Sequence, residues 1–292
     1  MATIRNPIEW SASQLGSASA HIASINRAVH GHETPAPIIR QIGMADLRHA
    51  LAAGFDDFKT CRSDVVFIGI FYALAGAVLI WVFFNYALLP LLFPAVAGFA
   101  LIGPVAAVGL YEMSRRREAG LDSGWVAALS DIGSPSFGAI FLLGLALFGV
   151  FILWMLAAWG IWNATLGPHA PDSVGEFGRQ VFFTGTGWLM VILGCAVGFA
   201  FALAVLAASV ISFPLLLDRD IGLRRAVVTS FQVTARNPGT ILAWGAIVAG
   251  GLIIGSLPIF LGLIIILPIL GHATWHLYRA AIDWPETGPA LV

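Results

Sequence analysis

The sequence predicts an all-α, polytopic membrane protein with six transmembrane helices, and three observations predict it. The first is composition: 59% of the 292 residues are hydrophobic and 11% charged, against roughly 45–50% and about 25% in soluble globular chains, so the surplus apolar surface must face lipid. The second is that the apolar residues gather into six runs, Val65–Leu89, Leu91–Met113, Phe137–Trp162, Trp188–Ser212, Thr240–Ser256 and Ile259–His276, each near the roughly 20 residues a bilayer core demands of a helix. The third is charge. Threading these runs puts fourteen of the fifteen Lys and Arg residues on one side and only Arg179 on the other. Such residues are retained in the cytoplasm during insertion, so both termini are expected there. Leaving out Arg5, Arg27 and Arg40, which lie too far from the first run to count, still leaves eleven against one.

This composition excludes a soluble enzyme. The net charge of -1, with basic residues at membrane edges, gives no footing for nucleic-acid binding. Cys61 and Cys195 are expected on opposite sides and so do not form a disulfide. Residues 1–43 have no apolar leader region and lack periodicity, so they are read as a disordered cytoplasmic tail, followed by a membrane domain at 44–284 and a short cytoplasmic tail at 285–292.

From Met44 the pattern becomes helical. Met44, Leu47, Leu51, Phe55 and Phe58 recur at spacings of three and four, with Asp46, Arg48, Asp56, Asp57, Lys59 and Arg62 on the other faces. This is an amphipathic helix suited to lying flat on the membrane surface. Similar segments precede the third run (Trp125, Leu129, Ile132) and the fifth (Leu223, Val227, Phe231), and Ser134-Pro135 and Asn237-Pro238-Gly239 end them. A threefold repeat of surface helix plus transmembrane hairpin is the natural reading. In each hairpin the returning helix carries a proline followed eleven positions later by arginine: Pro104 and Arg115, Pro214 and Arg225, Pro268 and Arg279. If the helix continued, that arginine would lie about 16 Å along, near the headgroups.

Three strings are more specific: 103–116 (GPVAAVGLYEMSRR), 212–219 (SFPLLLDR) and 271–279 (GHATWHLYR). They resemble a family of bacterial integral membrane proteins catalogued as a domain of unknown function, with the likeness extending over roughly residues 40–285. The resemblance implies a bacterial inner-membrane protein and carries over no catalytic or binding residues.

Ionisable residues are nearly absent from the depth of the six runs, which argues against proton or ion coupling. Polar groups gather at the cytoplasmic ends instead: Glu112, Arg115, Arg116, Asp218, Arg219, His272, His276 and Arg279. Three readings of this cluster stay open. Glu112 pairs with Arg115 or Arg116 at helix spacing and Asp218 with a neighbouring Arg; or His272 and His276, four apart, supply two metal ligands, with Glu112 or Asp218 as a third; or Arg115, Arg116 and Arg219 hold an anionic lipid head or substrate. Haem is disfavoured, because ligands four apart on one helix cannot take opposite axial positions. No cofactor is expected. Gly194, Gly198, Gly251 and Gly255 form small-residue faces for helix packing, which also leave a homo-oligomer open. Tryptophans gather near run ends as anchors, Trp154 and Trp244 less obviously so.

No hydrolase elbow, phosphate loop or zinc-protease helix supports an enzyme. The expected role is association, as scaffold, assembly factor or regulator of a membrane complex; the alternative is transport of a small or lipidic substrate through a polar cytoplasmic mouth.

Overall fold

A computed structural model describes residues 26, 28–31, 35–60, 70, 74–78, 81–82, 88–101, 103–122, 124, 136–167, 169, 171–258 and 260–285. Most of the first predicted run, and the surface helix expected around Trp125, Leu129 and Ile132, lie outside these residues. The described elements are helices apart from one pair of two-residue strands, β1 (Ile38–Ile39) and β2 (Ile282–Asp283), which pair antiparallel. The helices are α1 (Met44–Thr60), α2 (Leu89–Leu101), α3 (Gly103–Ala106), α4 (Val108–Glu118), α5 (Phe137–Thr165), α6 (Val174–Phe183), α7 (Gly185–Ser209), α8 (Ser212–Asp218), α9 (Leu223–Arg236), α10 (Pro238–Ser256) and α11 (Leu263–Ala281).

Among the described residues four stretches are long and apolar enough to cross a membrane: Leu89–Glu118 (α2 to α4), Phe137–Thr165 (α5), Gly185–Asp218 (α7 and α8) and Pro238–Ser256 (α10). α11 is divided. Its first turns are apolar, whereas from Leu270 to Ala281 it is largely buried in protein. α5 packs against both α2 and α7, with Phe141, Phe148, Leu153, Leu156 and Trp159 left exposed on its outer side, the pattern expected of a helix whose solvent is lipid. Trp154 faces inward and donates its indole N–H to the Pro94 carbonyl at 2.7 Å, so this tryptophan joins helices instead of anchoring at an interface. Trp244 is buried as well.

The break between α7 and α8 has an identifiable cause. Pro214 has no N–H to give to the carbonyl one turn earlier. Ser230 of α9 enters beside this break, donating to the Ala207 carbonyl at 2.7 Å and accepting from the Ile211 N–H at 3.3 Å. Its helix, α9, buries a face of Ala226, Thr229, Ser230 and Val233, while Leu223 and Val227 are partly buried and Phe231 is exposed. The face expected from the large apolar residues is therefore turned from the one observed, because small residues allow α9 to sit close to α7 and α8. The chain also turns extended at Arg219, so Arg225 belongs to a different helix from Pro214, unlike Arg279, which shares α11 with Pro268.

The segment 163–187, which joins α5 to α7, contains a helix the sequence reading missed. Ser173 caps α6 by accepting from the Glu176 N–H at 3.1 Å, and Arg179 pairs with Glu176. A serine followed three residues later by glutamate is a legible start signal.

The buried core lies at the polar end, where α4, α8 and the second half of α11 meet and α1 covers α11. Contrary to the expectation of a helix lying flat on the membrane, α1 is part of this core: Leu47, Ala50, Gly54, Asp57 and Phe58 are buried, and Met44 and Phe55 are exposed. The crossing requires glycine, since a Cβ at Gly54 would lie 2.5 Å from the Ala273 backbone nitrogen. Asn237 ties the preceding segment down, accepting from the Ile42 N–H at 2.9 Å and donating to the Arg40 carbonyl at 3.1 Å. Order thus begins before Met44: residues assigned to the tail carry β1 and the buried Ile42.

Candidate functional site

Three polar groupings occupy the polar end. The first is centred on Asp57, a residue assigned to an outer face but 5% exposed. Its position on α1, one turn beyond Gly54, points it into the seam between α4 and α11. There Ser114 donates to Asp57 Oδ2 at 2.5 Å and approaches His272 Nδ1 at 2.8 Å, while His276 Nε2 lies 2.9 Å from the same carboxylate oxygen. Arg117 pairs with Asp57 Oδ1. His272 and His276 fall on one face of α11 because they are four residues apart. His272 is fully buried, and its Nε2 has no hydrogen-bond partner among the described residues.

The carboxyl of Asp57 is held below its ordinary range. Burial, the largest influence, acts to raise it, but the hydrogen bonds from His276 and Ser114 and the charges of the histidines together outweigh burial. The arrangement is a carboxylate clamp joining three helices.

The second grouping is local. Glu112, 1% exposed, accepts from Arg115 Nε at 2.6 Å and from its terminal nitrogen at 2.7 Å, and Arg116 stands 3.7 Å away. Burying this charge is compensated by the two-pronged guanidinium. The third grouping joins α4, α8 and α11. Tyr278 donates to Asp218 at 2.6 Å, while Glu118 accepts from the Trp275 indole at 3.0 Å and from Arg279 at 3.0 Å. Arg279 also reaches to 3.9 Å from Asp218, and the Arg219 guanidinium lies over the Trp284 ring.

Every member of the expected cluster is therefore at this end, but distributed. His276 meets Asp57, and His272 reaches it through Ser114, not Glu112 or Asp218; Glu112 serves Arg115 and Arg116; Asp218 accepts from Tyr278, and Arg279 bonds Glu118 and stands near Asp218. The residues sequence reasoning missed are Asp57, Ser114, Arg117, Glu118, Trp275 and Tyr278. One signal for Asp57 was available, the stripe Leu47, Ala50, Gly54 and Phe58, whose small members mark a close helix crossing. Among the described residues no group of three His, Cys, Asp or Glu has an arrangement that would hold a metal ion. With Arg117 and Ser114 already on Asp57, that carboxylate is engaged as an anion for hydrogen bonding.

The packing glycines also divide. A Cβ at Gly198 would press on the Trp154 ring, and Gly251 and Gly255 face Ile266 and Leu263 across the α10–α11 turn, whereas Gly194 faces open space.

Residues 91–218 match the model of a family described as "Predicted integral membrane protein (DUF2189)", whose function is unknown. The string 103–116 lies inside this range, 212–219 runs one residue past its end, and 271–279 lies beyond it. No curated protein and no solved structure matches the chain.

Proposed function

We propose, from the premise that this is an integral membrane protein, that it acts by association, as a scaffold, assembly factor or regulator of a membrane complex in a bacterial inner membrane. In this reading six helices span the bilayer, both termini are cytoplasmic, and the end formed by α1, α4, α8 and α11 is a cytoplasmic cap. The meeting of three proline-bearing returning helices in that cap supports a threefold origin for the hairpins. One observation carries the functional reading: the charged and polar side chains of the cap are used to bind α1, α4, α8 and α11 to one another. Asp57, Glu118 and Asp218 each hold a partner on another of these helices. A cap cross-braced in this way suits a fixed platform that another protein contacts.

Mild solubilisation and affinity purification test this. A partner should co-purify, and its abundance in the membrane should fall when the protein is removed; isolation of the chain alone, with the membrane proteome unchanged, would overturn the proposal.

Transport is the second reading, favoured by the hydrogen-bonded series from the partly exposed His276 through Asp57 and Ser114 to the buried His272. It requires substrate flux in reconstituted vesicles that responds to replacement of His276 or Glu112.

A further inference from the structure

α9 has one face committed to the protein and another that is not. Ala226, Thr229, Ser230 and Val233 are buried against neighbouring helices, while Arg224, Val228, Phe231, Gln232, Ala235 and Arg236 are exposed, following one another at helix-face spacing. Val228 is 47% and Phe231 48% exposed, so two sizeable apolar side chains stand between two arginines. The helix sequence contains three arginines and no acidic residue.

One contact and one chain connection fix the level of this stripe. Ser230, adjacent to Phe231, is hydrogen-bonded to Ala207 and Ile211, where the apolar helix α7 ends. Pro238, two residues after Arg236, is the first residue of the apolar helix α10. Residues 230–238 are thus held at the height where two membrane-length helices leave the apolar layer. At that height exposed phenylalanine and valine flanked by arginine match the boundary between acyl chains and headgroups: the rings and branched chains enter the apolar side, and the guanidiniums meet phosphate.

We propose that the outer face of α9 is a binding surface for anionic phospholipid headgroups, with Arg224 and Arg236 engaging the phosphates and Phe231 and Val228 seated among the upper acyl chains. The surface stands apart from the association reading, since it concerns the lipid that surrounds the protein and not a protein partner.

Reconstitution of the full chain into nanodiscs of phosphatidylcholine mixed with phosphatidylglycerol, followed by gentle release and native mass spectrometry, reads which lipid stays bound. Phosphatidylglycerol should be retained in preference, and the double change Arg224→Gln and Arg236→Gln should reduce that preference by roughly 30-fold, from about 1 kcal/mol per arginine near an anionic surface. Arg179→Gln, at the far end, should leave it unchanged, and Phe231→Ser should weaken retention of both lipids alike. Should the double variant unfold, Arg236→Gln alone is read, with a loss of roughly fivefold expected on the same basis. An unchanged preference in the arginine variants, or an equal loss in Arg179→Gln, would overturn the proposal. Loss of a co-purifying acidic protein with lipid retention intact would overturn it too, and would assign the face to that protein.

Discussion

From Ser212 to Leu216 every residue is buried, yet in the 34-residue span Gly185–Asp218 that contains them only 6% of the most apolar stretch is buried inside the protein. The two ends of one helical run therefore obey different rules. In the apolar part, α5, α7 and α10 turn leucine, isoleucine and phenylalanine outward, because lipid is as good a surrounding for them as another helix. At the polar end, α1, α4, α8 and the last turns of α11 bury their side chains as a water-soluble core does, and bind buried charges through specific partners. What distinguishes the two is how a substitution will be felt.

The largest effect is expected at Asp57. Asp57→Ala leaves Arg117, His276 and Ser114 without their shared acceptor and should destabilise the cap by about 3 kcal/mol, the lower part of the range for breaking a buried ion pair because Arg117 is partly exposed. Hydrogen exchange along α1 measures it; protection equal to wild type would show that the clamp is dispensable. Acid should act in the same direction. The folded-state carboxyl lies below its ordinary value, so its contribution is fully present above about pH 4 and is lost as pH falls through the depressed folded value. In Asp57→Asn that acid-dependent loss of α1 protection should vanish.

Gly54→Val comes next. The added carbons meet the Ala273 backbone, which cannot rotate away, and overpacking of this kind costs about 2–3 kcal/mol. Protease cleavage within α1 should accelerate accordingly, whereas cleavage at α6 should not change. A smaller effect is expected in the apolar part: Trp154→Phe removes the bond to the Pro94 carbonyl and should lower thermal stability by about 1 kcal/mol. The smallest belongs to the lipid-facing surface. Ile192→Ala, at a residue 61% exposed, should change stability by no more than about 0.5 kcal/mol. A larger loss there would sharpen the comparison differently, by revealing that this face is covered by a second copy of the chain.

The contrast also explains what the sequence could disclose. Apolar runs are local, so among the described residues four of the predicted spans appear as helices of membrane length. α1 was legible as a helix for the same reason, but its orientation was not. Met44 and Phe55 are large and apolar and pointed to the wrong face; Ala50 and Gly54, which carry little hydrophobic weight, mark the right one. The partners of Asp57 lie 57, 158 and 219 positions away from one another or from it, in the bonds Asp57–Ser114, Ser114–His272 and Asp57–His276. Periodicity within a helix carries no information about such distances. The gathering of Glu112, Asp218 and His276 at one end followed from topology, whereas their division among three separate groupings depended on side-chain reach. α6 was missed because it is only ten residues long, although Ser173 and Glu176 gave its first turn away.

The first described long helix of the chain is completed by the last. α1 leaves the ribosome, carrying Asp57, before His276, which follows 219 positions later, and β1 likewise waits for β2. During that interval the growing chain has an amphipathic helix whose Asp57 lacks its histidine partner and whose Gly54 face is uncovered. The cap is thus a signature that α11 has arrived: a chain stopped before α11 displays a surface that α11 otherwise hides, and a protease or chaperone can read that difference without any knowledge of what the protein does.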